Sequence, residues 1–131
     1  MFGFTDAHPL WPTIRPYLPH IARDIRRMHD AGIVHNDFHG GNILVTPSCG
    51  AYSFSYIDLN RARIHPQLTL QQRMNDLVRF ALNEKDQQAF LQDYWSDQTA
   101  QLHRLFRRAL EKRVRLLARR ACLQRRVTGM L

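Results

Sequence analysis

The chain of 131 residues carries a formal net charge of +8, with 44% apolar and 10% aromatic side chains. That composition supports one buried core of ordinary domain size and excludes global disorder. No window approaches the apolar length of a membrane span, and MFGFTDAHPLW lacks the basic head and apolar run of a secretory signal, so a cytoplasmic protein is expected. The two cysteines, Cys49 and Cys122, lie far apart without metal-ligand spacing, which fits a reducing compartment. The charge is uneven. Residues 1–103 hold nine basic side chains against ten acids, whereas residues 104–131 hold ten basic side chains against Glu111 alone.

Pro9, Pro12, Pro16 and Pro19 crowd the start, so 1–17 is expected to be an irregular, proline-rich entry. Leu18, Ile21, Ile25 and Met28 then recur at helical spacing, with Arg23, Asp24, Arg26 and Arg27 on other faces. Gly32 suits the left-handed position that ends such a helix. Next come IVHNDFHGGNILV, the turn-rich TPSCGAYS and FSYIDL. The expected hairpin pairs the segment from Asn42 with a strand over 54–60. Paired strands lie about 5 Å apart, which brings Asn42 near Asp58.

TLQQRMNDLVRFAL opens on a capping-box pattern, Thr69 to Gln72, and sets Leu70, Met74, Leu77, Val78 and Ala81 on one face. A helix over about 84–95 carries Phe90, Leu91 and Tyr94, and a long arginine-rich helix over about 98–126 follows. On its wheel Leu102, Leu105, Phe106, Ala109, Leu110, Leu117 and Ala121 form one face. Arg104, Arg107, Arg108, Arg115, Arg119 and Arg126 cover the other, and Arg113 and Arg120 intrude on the apolar side.

The chemistry concentrates in HNDFHGGN, residues 35–42. Phosphoryl transfer from ATP needs a carboxylate to orient and deprotonate the attacking hydroxyl, and oxygen ligands for the Mg²⁺ that bridges the phosphates. H-x-D-x-x-x-x-N supplies the carboxylate, Asp37, and one amide oxygen, Asn42, from a single loop; Asp58 on the following strand supplies the second metal ligand. His35 is expected to pack beneath the loop as scaffold. Gly40 and Gly41 are expected to bend the loop so that Asn42 returns towards the metal.

GIVHNDFHGGNILV, YIDLNRARI and RMNDLVRF together resemble the lipopolysaccharide kinase family, the Kdo-kinase and heptose-kinase group, over residues 21 to about 82. The resemblance implies a protein-kinase-like fold in a bacterial enzyme. It implies ATP and Mg²⁺ as cofactors, and transfer of phosphate to a sugar hydroxyl of the lipopolysaccharide core at the cytoplasmic face of the inner membrane. It makes Asp37 the catalytic aspartate and Asn42 and Asp58 the metal and cofactor ligands. His39 stands where protein kinases often carry a lysine that faces the transferred phosphate. The alternative is the aminoglycoside and choline phosphotransferase group, whose loop resembles HGDLHPGN and is echoed by His39. IDLNRAR favours the lipopolysaccharide group.

A complete kinase also needs a glycine-rich loop over the phosphates and a lysine that pairs with them. Both lysines, Lys85 and Lys112, follow the catalytic loop, and the six glycines form no G-x-G-x-x-G. The expectation is a C-terminal lobe with the N-terminal lobe absent, weak or inactive alone: a fragment of a longer gene product, a lobe completed by a partner chain, or a remnant that no longer phosphorylates. A non-catalytic lobe that binds a partner or an anionic membrane is the reading from another class.

Asp76 either anchors the catalytic loop from a neighbouring helix or pairs in solvent with Arg73 or Arg79. Arg61 and Arg63 either face an acidic group or simply end a strand. Trp11 and Trp95 read as packing residues. The basic helix reads as the closing helix of the lobe, or as a contact for an anionic membrane surface. No nucleic-acid motif accompanies it, so nucleic acid is not the expected partner. The expected fold is mainly α with small β-hairpins, an α+β lobe. It divides into an entry segment 1–17, a kinase-like lobe 18–97 and a basic helix 98–131.

Overall fold

The computed structural model describes residues 11–80, 82–97 and 100–129. Helix α1 (Trp11–Ile14) runs through a 3-10 turn (Arg15–Tyr17) into α2 (Leu18–Asp30). The irregular entry expected over 1–17 is therefore helical from Trp11; residues 1–10 lie outside the described residues. The prolines do not prevent this. Proline fits the first turn of a helical segment, where its missing N–H has no partner to lose, and it stands at that position in both the 3-10 turn and α2.

Helix α2 buries Leu18, Ile21, Ala22 and Ile25. It ends as the Gly32 pattern predicts, with Gly32 at φ 85° and its N–H on the His29 carbonyl. A Cβ on Gly32 would collide with the His65 carbonyl, so glycine is required here twice over. Strand β1 (Ile33–Val34) then pairs antiparallel with β4 (Arg63–Ile64), and β2 (Ile43–Ser48) pairs with β3 (Ala51–Tyr56) in a hairpin.

The hairpin turn is only Cys49-Gly50, both at positive φ, so strand pairing reaches further into the turn-rich TPSCGAYS than expected. Positive φ at both central residues gives the tight turn whose twist matches that of its strands. Pro47 is tolerated because each strand of a two-stranded sheet has a free edge. The strand expected over 54–60 stops at Tyr56, and Asp58 lies beyond it in the left-handed conformation, φ 59° and ψ 64°.

Helix α3 (Leu70–Leu77) carries the predicted capping box, Thr69 with Gln72. It ends sooner than the apolar pattern implied. Phe80 leaves the helical path to pack on Phe38 and Phe90, at ring separations of 5.2 and 5.4 Å. Ala81, expected on the same helical face, lies outside the described residues. Helix α4 (Glu84–Tyr94) is capped by the Asn83 side chain.

Helix α5 (Ala100–Gly129) buries Leu102, Phe106 and Ala109, and among the described residues none beyond Ala109 is buried. The predicted apolar face therefore serves the core only in its first turns. Leu116, Leu123 and Val127 are exposed. One core joins α1, α2, α3, α4 and the start of α5, with Ile21, Ile25, Met74, Phe38 and Tyr94 at its centre.

Candidate active site

The loop from His35 to Asn42 hangs from α3. Asp76 is fully buried; its Oδ2 accepts the His35 N–H at 3.0 Å and its Oδ1 the Asn36 N–H at 2.9 Å. Of the two roles the sequence left open for Asp76, the structure takes the loop anchor. Arg73 turns instead to Asp30 and to Tyr94 Oη, at 3.0 and 3.1 Å.

Behind Asp76 lies His29, a residue the sequence reading passed over as one more position on α2. His29 Nε2 meets Asp76 Oδ2 at 2.8 Å and Nδ1 meets Tyr94 Oη at 2.7 Å. One proton order satisfies every atom. Arg73 donates to Tyr94 Oη, Tyr94 donates to His29 Nδ1, and His29 Nε2 donates to Asp76. The signal available in the sequence was a histidine one helical turn after Ile25 on the buried stripe.

His35 links the loop to the strand that precedes Asp58. It is fully buried, its Nε2 donates to the Ile57 carbonyl at 2.9 Å, and its Nδ1 accepts the Asp37 N–H at 3.2 Å. Phe38 pins the middle of the loop in the core. Asn36 stands at φ 66° and donates Nδ2 to the Arg61 carbonyl at 2.9 Å. Asparagine tolerates that left-handed backbone better than most residues.

Asp37 is partly exposed. Its Oδ1 lies 3.9 Å from His39 Nε2, while His39 Nδ1 accepts the Gly41 N–H at 3.0 Å. His39 thus caps the 3-10 turn Gly40–Asn42 with one nitrogen, and its other lies 3.3 Å from Asn42 Nδ2 and 3.9 Å from Asp37 Oδ1. The glycine pair works differently from the expected sharp bend. Neither glycine is at positive φ; a Cβ on Gly41 would stand 2.9 Å from the His39 ring, so glycine here makes room for that ring.

Asn42 donates Nδ2 to the Asp37 carbonyl at 2.8 Å, which leaves its Oδ1 as a free-standing acceptor type in the amide. Its own carbonyl accepts the Ile57 N–H at 2.9 Å, so Asn42 is level with the residue before Asp58, as the hairpin predicted. Asp58 is exposed, and no hydrogen bond or ion pair of its carboxylate occurs among the described residues. No trio of His, Cys, Asp or Glu that could hold a metal occurs among the described residues. An amide oxygen with a single carboxylate is an all-oxygen, incomplete donor set. It fits Mg²⁺, which keeps waters and takes phosphate oxygens, and does not fit Zn²⁺.

Side chains alternate across a strand, so Asn42 and Leu44 share one face of the hairpin with Ser55 and Ile57. On that face Leu44 is 51% and Ile57 36% exposed, an apolar shelf beside the polar groups. The sequence reading treated both as ordinary strand residues. Their register, two positions from Asn42 and one from Asp58, was the available signal. Arg61 ends its 3-10 turn and Arg63 opens β4, paired with Val34, and both are exposed.

No helix among the described residues is long and apolar enough to cross a membrane. The profile of the lipopolysaccharide kinase (Kdo/WaaP) family matches residues 13–100. A solved structure, WaaP in complex with acyl carrier protein, is similar to the chain at 26% identity and TM-score 0.59. That match covers 75% of this chain and 48% of that one, so the chain spans about half the length of its structural relative. No curated protein is significantly similar. With the catalytic-type loop, the hairpin and α3 all inside the matched span, the chain belongs to the lipopolysaccharide kinase (Kdo/WaaP) family.

Proposed function

We propose that the chain carries the catalytic loop of an ATP-dependent phosphotransferase acting on a sugar hydroxyl of the lipopolysaccharide core. The observation that carries this reading is the pair of bonds on Ile57. Its N–H bonds to Asn42 and its carbonyl accepts from His35, so one residue ties both ends of the loop to the segment that presents Asp58. Asp37 is the group that orients the acceptor hydroxyl and takes its proton. Its backbone is fixed on both sides, by His35 Nδ1 and by the Asn42 amide, so the carboxylate is held in place before substrate arrives.

Asn42 and Asp58 would hold Mg²⁺ through their oxygens, and the ion would supply charge neutralisation on the phosphates of ATP. The Leu44–Ile57 shelf offers the nucleotide base an apolar face beside those donors. His39, with Nε2 towards Asp37, faces the phosphate in transit. The reaction is assigned to the cytoplasmic side of the inner membrane. These 131 residues alone are expected to turn over slowly, because they contain no G-x-G-x-x-G loop and no lysine before the catalytic loop.

For the outer half of α5 we propose contact with an anionic surface, membrane or protein. The complex of WaaP with acyl carrier protein makes a protein the second form of that reading.

The test is isothermal calorimetry of Mg·ATP on wild type, Asp58→Asn and Asp37→Asn. Asp58→Asn is expected to weaken binding about tenfold or more, while Asp37→Asn binds like wild type and loses turnover of a lipopolysaccharide-core sugar. Equal Mg·ATP binding by wild type and Asp58→Asn would sink the metal assignment. Turnover of an aminoglycoside or choline in preference to the core sugar would replace the acceptor.

A further inference from the structure

Four buried polar side chains stand in file behind the loop that carries Asp37, drawn from three helices: His29 on α2, Arg73 and Asp76 on α3, and Tyr94 on α4. Arg73 Nη1 lies 3.1 Å from Tyr94 Oη, Tyr94 Oη 2.7 Å from His29 Nδ1, and His29 Nε2 2.8 Å from Asp76 Oδ2. The file starts at the surface. There Arg73 Nη1 also donates to the half-exposed Asp30 at 3.0 Å, and the guanidinium lies 5.4 Å from the centre of the Trp95 ring. It ends at the backbone N–H groups of His35 and Asn36.

The two ends dictate the direction of every bond between them. An arginine only donates and a carboxylate only accepts, whereas tyrosine and histidine can do both. With Arg73 at one end and Asp76 at the other, each proton points from Arg73 towards Asp76. Bonds that run one way polarise one another, so each member strengthens the next. Packing three helices does not call for this, because apolar side chains of the same volume would avoid desolvating a cation and a carboxylate.

The inner end acts on the site. Asp76 Oδ2 accepts from His29 Nε2 and from the His35 N–H, so the group that fixes that oxygen also fixes the loop. Asn36 is held at φ 66°, a backbone that persists only where its surroundings over-determine it. Asp37 follows directly, its N–H on His35 Nδ1 at 3.2 Å.

We infer that Arg73, Tyr94 and His29 are positioning residues for Asp37, acting in that order through Asp76. The inference rests on the phosphotransfer reading and adds to it three side chains outside the loop, with a path from the surface at Asp30 and Trp95 to the reacting carboxylate.

The experiment compares the full chain with Tyr94→Phe, His29→Leu, His29→Gln, Arg73→Met and Arg73→Lys. Amide exchange, followed by NMR without nucleotide, is expected to quicken about tenfold or more at His35 and Asn36 in Tyr94→Phe, His29→Leu and Arg73→Met. The amides of Val78 and Gln87, bonded to the Met74 and Asn83 carbonyls, are expected to keep their protection. Turnover of the core sugar is expected to fall about tenfold or more in the same three variants, with KM for the sugar and Mg·ATP affinity unchanged. His29→Gln and Arg73→Lys keep a donor in the file and are expected to recover part of both losses.

A packing role alone would make His29→Leu equal to His29→Gln and Arg73→Met equal to Arg73→Lys, and that result overturns the inference. Exchange that rises as much at Val78 and Gln87 as at His35 overturns it too, as does wild-type turnover in a variant whose loop amides have opened. Failure of the phosphotransfer reading would show as wild-type protein that neither binds Mg·ATP nor phosphorylates the sugar. The exchange rates need neither, so they judge the file by itself.

Discussion

His29 and Asp76 meet at 2.8 Å with both side chains sealed from water, and the carboxylate in this pair is the one that holds up the loop from His35 to Asn42. Asp76→Ala strips partners from His29 Nε2 and from two backbone N–H groups at once. A buried pair broken on one side costs on the order of 3–5 kcal/mol. Thermal or urea unfolding should register that loss, and a variant within about 0.5 kcal/mol of wild type would mean that solvent reaches the pair.

Gly32 is expected to be as intolerant as any position in the chain. Its φ of 85° is unfavourable for a side chain, and a Cβ would run into the His65 carbonyl, the residue whose N–H bonds back to the Gly32 oxygen at 2.8 Å. Gly32→Ala should cost more than about 1 kcal/mol from the backbone alone. The β1–β4 pairing should loosen with it, which amide exchange at His65 would reveal as lost protection.

Asp58 stores backbone strain in the left-handed region, so the choice of substitution matters. Asn tolerates that region and Ala does not, which predicts Asp58→Asn close to wild type in stability and Asp58→Ala lower by about 1 kcal/mol. Both lose the carboxylate and should bind Mg·ATP equally poorly. A melting curve and a titration on the two proteins separate backbone cost from ligand loss.

Burial pushes the Tyr94 hydroxyl up to about 12, against the downward pull of Arg73 and Arg26. A folded-state value above the ordinary 10.0 means that the neutral hydroxyl is favoured by folding. Its contribution is complete below pH 10 and fades as the pH climbs to about 12. Tyr94→Phe should be less stable at neutral pH, because His29 Nδ1 and Arg73 lose a partner. Denaturant midpoints taken across that alkaline interval should show the gap between the two proteins closing; a constant gap would place the tyrosine in contact with solvent.

The hairpin, the capping box and the Gly32 stop were legible because each rests on local chemistry: turn residues, a cap pair and a left-handed glycine. Asp37, Asn42 and Asp58 were singled out by spacing as the proposed site, and the register that sets Asn42 level with Ile57 follows from the hairpin itself. What escaped was set at a distance. His29 looks like any polar residue on a helix until Asp76 and Tyr94 arrive from 47 and 65 positions away. The early end of α3 depends on Phe80 finding Phe38 and Phe90, a choice that no helical periodicity records. Helical turns at Trp11 and Arg15 were hidden by their prolines, which read as breakers and act as starters.

Helix α5 leaves the core after Ala109, and its last eighteen positions carry Lys112, Arg113, Arg115, Arg119, Arg120, Arg125 and Arg126 without an acid. Arg115 and Arg119 stand one turn apart, where like charges repel along the helix. Such repulsion is screened over about 8 Å at physiological ionic strength and over about 30 Å at 0.01 M. One continuous helix thus contains two regimes. Its first turns are held by packing, so they are expected to be indifferent to salt; its outer turns are expected to fray in dilute buffer and to wind up again as counterions, or any polyanion, gather along them.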